Sequence, residues 1–372
     1  MSPGMSVFLD LVRFLAAVTV VLSHMLGPEF STFGFKGSAG LGVFAVGIFF
    51  VLSGYVIVFT IDKTNPSLRE YLCARLGRIY SVLVPGLILT YALRALGMGI
   101  FPAAYRSYGQ ISMGLGALPK TVFSCLTFLN QTQFLRASPP TNGPIWSLGF
   151  EVPYYLFFAA LMFAPKYFKY GLLVVGAIVW GFPVVFLFPA WLGGVGLYRW
   201  IKTHHVSKVA GTLCLVALPF ILLVTVKANS EWLRFSGRLH PTSEFAKAIL
   251  ELAGTRAGGF PLLYGGSATM LCLVLAAHSF SNVLDPSLLI LQKPIRIVAS
   301  STFSIYLFHF PLLCLVCATP LYHRDSRFDF CVAFLVVVGL SFGLSRVTEA
   351  KKSVWHSWLV RSIPMAKVAR NQ

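Results

Sequence analysis

The stretch VFLDLVRFLAAVTVVLSHML, residues 7–26, decides the fold class of this chain. It is apolar and long enough to cross a bilayer, because about 20 helical residues span a hydrocarbon core of about 30 Å. Yet it carries Arg13 and His24. An Arg near the middle of a membrane helix costs roughly 2.5 kcal/mol or more even on the lenient insertion scale, so it is kept where it is used. The offset between the two closes three helical turns to within about 20°, with a rise of about 16 Å. Arg13 and His24 therefore share one face at different depths. A cation and a titratable base along one transmembrane face point to a path, or a reaction, across the membrane.

The rest of the chain agrees with that start. Of 372 residues, 56% are hydrophobic and 11% charged, and the mean hydropathy is +0.76. A soluble domain carries about 25% charged residues, so this composition describes a polytopic membrane protein embedded in a lipid bilayer. The first apolar run has no basic segment before it and no small-x-small site after it, which predicts an uncleaved helix. A formal charge of +18 would suggest nucleic acid in a soluble protein. Beside a membrane, basic loops and abundant aromatics belong to the interface instead, so no nucleic-acid partner is expected. The seven cysteines show no extracellular disulfide pattern, and Cys314 and Cys317 read as small apolar helix residues.

Apolar windows predict an all-α integral membrane protein of about ten transmembrane helices. They lie near 7–27, 41–61, 80–97, 147–164, 171–187, 188–201, 209–226, 261–279, 297–318 and 328–346. Gly181, Pro183 and Pro189 interrupt the fifth and sixth, which form either a tight helical hairpin or a re-entrant pair. An N-in, C-in orientation places Arg69, Arg75, Arg78, Lys202, Lys208, Lys351 and Lys352 in short inside segments, and leaves Lys36, Arg324 and Arg327 in short outside ones. Short loops dominate the positive-inside rule, which supports this orientation. Two long outside loops, about 98–146 and 227–260, contain Pro139, Pro140 and Asn142, and Arg234, Arg238, His240 and Pro241. They either shape an external binding surface or cap the bundle. The chain divides into a transmembrane domain, 1–346, and a short basic cytoplasmic tail, 347–372.

Few ionisable groups fall within the apolar runs: Asp10, Arg13, His24, Glu151, His278, His309 and, at an edge, Asp329. The assumed topology puts His24, Glu151 and His309, from three helices, in the outer half of the bundle. A carboxylate beside imidazoles suits general acid–base work, with Glu151 fixing the tautomer of a His. The competing reading is a buried pair that fixes helix packing. Ser147, four residues before Glu151, is placed to hydrogen-bond it. Asp10, three residues before Arg13, either neutralises it or steadies it for an anionic or carbonyl group. Arg75 and Arg78, at the end of the first cytoplasmic loop, point the same way and suit either bidentate phosphate recognition or topology anchoring. His204 and His205 read as a solvated basic face, and His278 as an inner-end residue. Ser53 and Gly54 read as a close helix approach.

Taken in order, these pieces resemble the acyltransferase-3 family of integral membrane O-acyltransferases. The likeness runs through Leu9-Asp10-Leu11-Val12-Arg13-Phe14-Leu15-Ala16-Ala17 with the Arg-x10-His spacing to His24, and Phe49-Phe50-Val51-Leu52-Ser53-Gly54-Tyr55. It continues with Arg75-x-x-Arg78 before Ile79-Tyr80, Trp146-Ser147-Leu148 with Glu151 and Tyr155, and Ser304-Ile305-Tyr306-Leu307-Phe308-His309-Phe310-Pro311. One departure is Gly47, where many members carry an Asp just before the Phe-Phe pair. The short basic tail matches the stand-alone form, without an appended extracytoplasmic domain.

The resemblance implies transfer of an acyl group, commonly acetyl, from cytoplasmic acetyl-CoA or another acyl-CoA to a hydroxyl of an extracytoplasmic carbohydrate or lipid-linked glycan. It implies that Arg75 and Arg78 contact CoA phosphates. On the same resemblance Arg13 would guide the pantetheine or polarise the thioester, and His24 would be the base or a transient acyl carrier. The resemblance also implies Glu151 and His309 as supporting site residues. No metal is expected, and the implied location is the bacterial cytoplasmic (inner) membrane. The rival class is a proton- or solute-coupled transporter, since intramembrane Arg, Glu and His also mark relays. Transporters tend to show internal repeats and paired discontinuous helices, and no repeat is visible here.

Overall fold

In the computed structural model, residues 1–35, 37–108, 118–132, 135, 137–238 and 259–362 are described, and those placed in regular structure are helical. The long helices are α1 (Pro3–Met25), α2 (Ser38–Thr64), α3 (Leu68–Ile100), α6 (Leu148–Phe163), α8 (Phe182–Thr203), α9 (Lys208–Arg238), α10 (Phe260–Ser279), α13 (Thr302–Ala318) and α14 (Arg327–Ser345). Shorter ones are α4 (Pro102–Ser107), α5 (Leu118–Leu126), α7 (Lys166–Trp180), α11 (Ser281–Ile290), α12 (Gln292–Ala299) and α15 (Lys352–Ser362). Among the described residues, eight helices are long and apolar enough to cross a membrane, or nine if the bent pair α12–α13 is one span. Exposed Leu213, Phe220, Leu223 and Val224 give α9 an apolar outer face suited to lipid.

The expected span near 171–187 differs most. It is α7, only 15 residues long, followed at Gly181 (φ +78°) by α8. Such a helix rises about 22 Å, short of a hydrocarbon core of about 30 Å. The third span differs in the other direction. It begins at Leu68 rather than near 80, so Arg75 and Arg78 lie within a helix and not in a loop. Ser67 and Glu70 set that start by a capping box: the Ser67 hydroxyl accepts from the Glu70 N–H, and the Glu70 carboxylate accepts from the Ser67 N–H at 2.8 Å. Only residues 65–67 separate α2 from α3.

Glycines bring the central helices together. A Cβ on Gly54 of α2 would lie 2.2 Å from the Trp191 carbonyl oxygen of α8, and one on Gly194 would lie 2.1 Å from that of Val51. The crossing is thus reciprocal, backbone against backbone, as small residues permit in membranes. Gly47 makes the same kind of approach to Leu263 of α10, where a Cβ would meet a carbonyl oxygen at 2.1 Å. A carboxylate side chain has no room there, which is a physical reason for the glycine.

The described end of the first long loop turns inward. After α5, residues Asn130, Thr132, Thr141 and Asn142 are all buried. The Asn142 amide donates to Thr90 Oγ1 of α3 (2.8 Å) and to the Leu307 carbonyl of α13 (3.1 Å). Trp180 donates to the Phe128 carbonyl and Tyr80 to that of Leu126. These bonds satisfy polar groups that would be costly to leave unpaired in an apolar interior. Of the second long loop, α9 extends as far as Arg238, and His240 and Pro241 lie outside the described residues. Past residue 346 the chain returns to the bundle. α15 packs on α3, where a Cβ on Gly77 would be 3.0 Å from the His356 nitrogen, and Arg69 donates to the Val360 carbonyl.

Candidate active site

A partly open cavity lies between α1, α2, α3, α6 and α13. Its polar lining is Arg13, Ser53, Arg75, Arg78, Ser147, Glu151, Tyr155, Thr302 and Tyr306; Phe49, Phe50 and Phe303 are among its apolar walls. Helical spacing explains the convergence. Arg75 and Arg78 are one turn apart on α3, and Ser147, Glu151 and Tyr155 recur every four residues through the 3-10 turn Gly143–Ser147 into α6.

The charges in the cavity differ in how they are paired. Arg13 Nη1 is 3.2 Å from an Asp10 carboxylate oxygen, one turn back on α1. Among the described residues, neither Arg75 nor Arg78 forms an ion pair within 4.0 Å. Arg75 is held by the Tyr71 ring, with its guanidinium carbon 6.0 Å from the ring centroid, and its Nε has no hydrogen-bond partner. Glu151 accepts from the Tyr155 hydroxyl and, at 3.3 Å, from Ser53 Oγ. A cavity with two guanidiniums that have no ion-pair partner within 4.0 Å among the described residues is suited to an anionic group such as a phosphate.

The histidines form a second group. The His24 and His309 rings lie 5.3 Å apart, with the Phe310 ring edge-on to His24 at 4.9 Å. His309 is fully buried, whereas His24 is half-buried. His309 Nδ1 is 3.0 Å from the Ile305 carbonyl. A carbonyl only accepts, so Nδ1 carries the hydrogen, and in the neutral ring Nε2 is a lone pair. That Nε2 is buried without a partner. Tyr306 stands between the two groups. Its ring lines the cavity and lies 6.4 Å from His309, while its hydroxyl reaches Ser147 Oγ (2.8 Å) and the Pro144 carbonyl (3.1 Å).

The structure therefore joins Arg13, Arg75, Arg78 and Glu151, and separately joins His24 and His309. Glu151 lines the cavity with the arginines, and not the group of His24 and His309 in which the assumed topology put it. The segment before α6 is already buried, with Asn142 at 0% and Ile145 at 1% exposure, so α6 starts inside the bundle and carries Glu151 deeper. Ser147 serves Tyr306 rather than Glu151, and Ser53 is a cavity residue as well as a neighbour of the Gly54 crossing. His278 is bonded to the Tyr55 hydroxyl (3.1 Å), away from the cavity, and His204 is exposed and stacked on Trp200. Sequence reasoning gave no role to Tyr306 or Thr302. Tyr306 lies one helical turn before His309, and that spacing was the available signal.

Comparison with known proteins gives a family match. A family model described as an acyltransferase domain matches residues 6–346. A protein of Shigella phage Sf6 named O-acetyl transferase is 29% identical over 233 residues, covering 55% of this chain and 66% of that relative. The matched part thus falls just short of two thirds of the relative's length. No solved structure matches the chain.

Proposed function

The chain belongs to the acyltransferase-3 family, and from that premise we propose that it moves an acyl group, acetyl foremost, from acyl-CoA to a carbohydrate hydroxyl across the bacterial cytoplasmic membrane. The phage relative's name supports acetyl and an oxygen acceptor. One observation carries the choice of donor: Arg13 of the cationic cavity and His24 of the histidine pair share the single continuous helix α1, about 16 Å apart along its axis. A donor with phosphates at one end and a thioester at the end of a long flexible arm fits that separation.

In this reading Arg75 and Arg78 bind the CoA phosphates and Arg13, steadied by Asp10, guides the arm past Tyr306. Arg13 is then too far from His24 to polarise the reacting carbonyl, which leaves it the guiding role. His24 is the half-buried member of the imidazole pair and meets both substrates. It takes the proton of the acceptor hydroxyl as that oxygen attacks the thioester carbon. A C–O bond forms, the C–S bond breaks, and the imidazolium returns the proton to the departing CoA thiolate. His309 holds the His24 ring from behind, and Glu151 orients the donor through Ser53 and Tyr155. The acceptor is an exported or lipid-linked glycan reaching His24 from the far side of the membrane, with CoA entering from the cytoplasm.

Membranes carrying the chain, supplied with labelled acetyl-CoA and a glycan extract, test the proposal. Label should appear in the glycan fraction and be released by mild alkali, as an ester requires. Absence of an alkali-labile gain over membranes lacking the chain would refute it.

A further inference from the structure

The carboxylate of Glu349 lies beyond the stretch matched by the family model, yet it is buried in the bundle at 6% exposure. It sits in the 3-10 turn Glu349–Lys351 that joins α14 to α15. One of its oxygens accepts from both the backbone N–H (2.9 Å) and the hydroxyl (3.0 Å) of Ser304. Ser304 is the third residue of α13, so this N–H is one of the donors a helix start cannot satisfy internally. A carboxylate there also meets the positive end of the helix dipole.

The start of α13 needs such support. It follows a 50° bend from α12, so its direction is not inherited from the preceding helix. Its own N-cap residue, Ser301, makes no side-chain cap bond; its hydroxyl pairs instead with Ser345 at 2.7 Å. The Thr348 hydroxyl adds a contact to Ser304 at 3.4 Å. The first turn of α13 is thus fastened by residues 345–349, brought from some 45 positions along the chain. Glu349 also lies within electrostatic reach of Arg78 and Arg13.

We infer that Glu349 is a positioning residue for acyl transfer. By fixing the first turn of α13 it sets Tyr306, on the cavity, and His309, one further turn along, against His24. This inference rests on the acyltransferase reading above.

The test is steady-state transfer from acetyl-CoA by Glu349→Ala and Glu349→Gln, with CoA binding and thermal stability measured on the same preparations. In Glu349→Ala, kcat should fall by about 10-fold or more, because a displacement near 1 Å at the reacting groups can cost as much as 10²-fold. The Kd for CoA should stay within about threefold of wild type, because Arg75 and Arg78 are retained. Glu349→Gln keeps an acceptor oxygen for both Ser304 donors and should recover most of the rate. A merely structural role would lower Tm and leave kcat per folded molecule unchanged. Normal kcat in Glu349→Ala, or Glu349→Gln as slow as Glu349→Ala, overturns the inference. Should Glu349→Ala fail to fold, Ser304→Ala, which loses one donor and keeps the N–H, should show a smaller loss confined to kcat; normal kcat there overturns it equally. Wild-type protein without transfer activity would instead refute the acyltransferase reading.

Discussion

Removing Arg78 should weaken donor binding by an amount that can be worked out from its surroundings. Arg13 spends part of its charge on Asp10 at 3.2 Å, whereas Arg75 and Arg78 have no ion-pair partner within 4.0 Å among the described residues. Their donors are therefore available to a phosphate, and a hydrogen bond to a charged group contributes about 1.5–3 kcal/mol. Arg78→Ala should raise the Kd for CoA by about 10- to 150-fold, and Arg75→Ala by a similar factor. The double variant should lose less than the product, because two guanidiniums one turn apart share one ligand. Arg78→Lys keeps the charge but loses the bidentate fork, so its loss should be intermediate. The assay is equilibrium binding of labelled CoA to protein in nanodiscs, with Tm measured in parallel. Wild-type affinity in both alanine variants, within twofold and with Tm unchanged, would refute the assignment of this cavity to the donor.

Other perturbations read different parts of the account. Tyr155→Phe removes the hydroxyl that donates to Glu151 and leaves that carboxyl group short of a donor, so steady-state kinetics should show slower transfer and thermal unfolding a loss of about 1–3 kcal/mol. Gly54→Ala places a methyl 2.2 Å from the Trp191 carbonyl oxygen and should cost about 1–3 kcal/mol in thermal unfolding. Gly171→Ala, which meets nothing within 4 Å, is its control and should be neutral or slightly stabilising. Asn142→Ala removes the two bonds that tie the inward loop to α3 and α13, and should lower stability by about 1–3 kcal/mol and expose the loop to protease.

How much of this could be read from the chain depends on whether the relevant distance is local. The shared face of Arg13 and His24 follows from helical period alone, and α1 runs unbroken through both. Arg75 and Arg78 were legible as a pair for the same reason, although the Ser67–Glu70 capping box lengthened their helix and drew them into the bundle. Glu151 was visible as a buried carboxylate, but its depth was not. Depth depended on where α6 begins, which is set by the inward fold of the preceding loop onto Thr90 and Leu307. The span count suffered at α7, where Gly181 ends a helix too short to cross. Glu349 lay hidden in a basic segment, because its partner Ser304 is remote in sequence.

The most direct measurement compares wild type with His24→Ala for release of CoA and gain of label in glycan, using acetyl-labelled acetyl-CoA and protein reconstituted in liposomes. Loss of a general base costs typically 10²–10⁴-fold, so His24→Ala should be slower by at least about 100-fold while its Kd for CoA stays near wild type. Transfer at the wild-type rate by His24→Ala, with the donor still bound, would contradict the account at its centre.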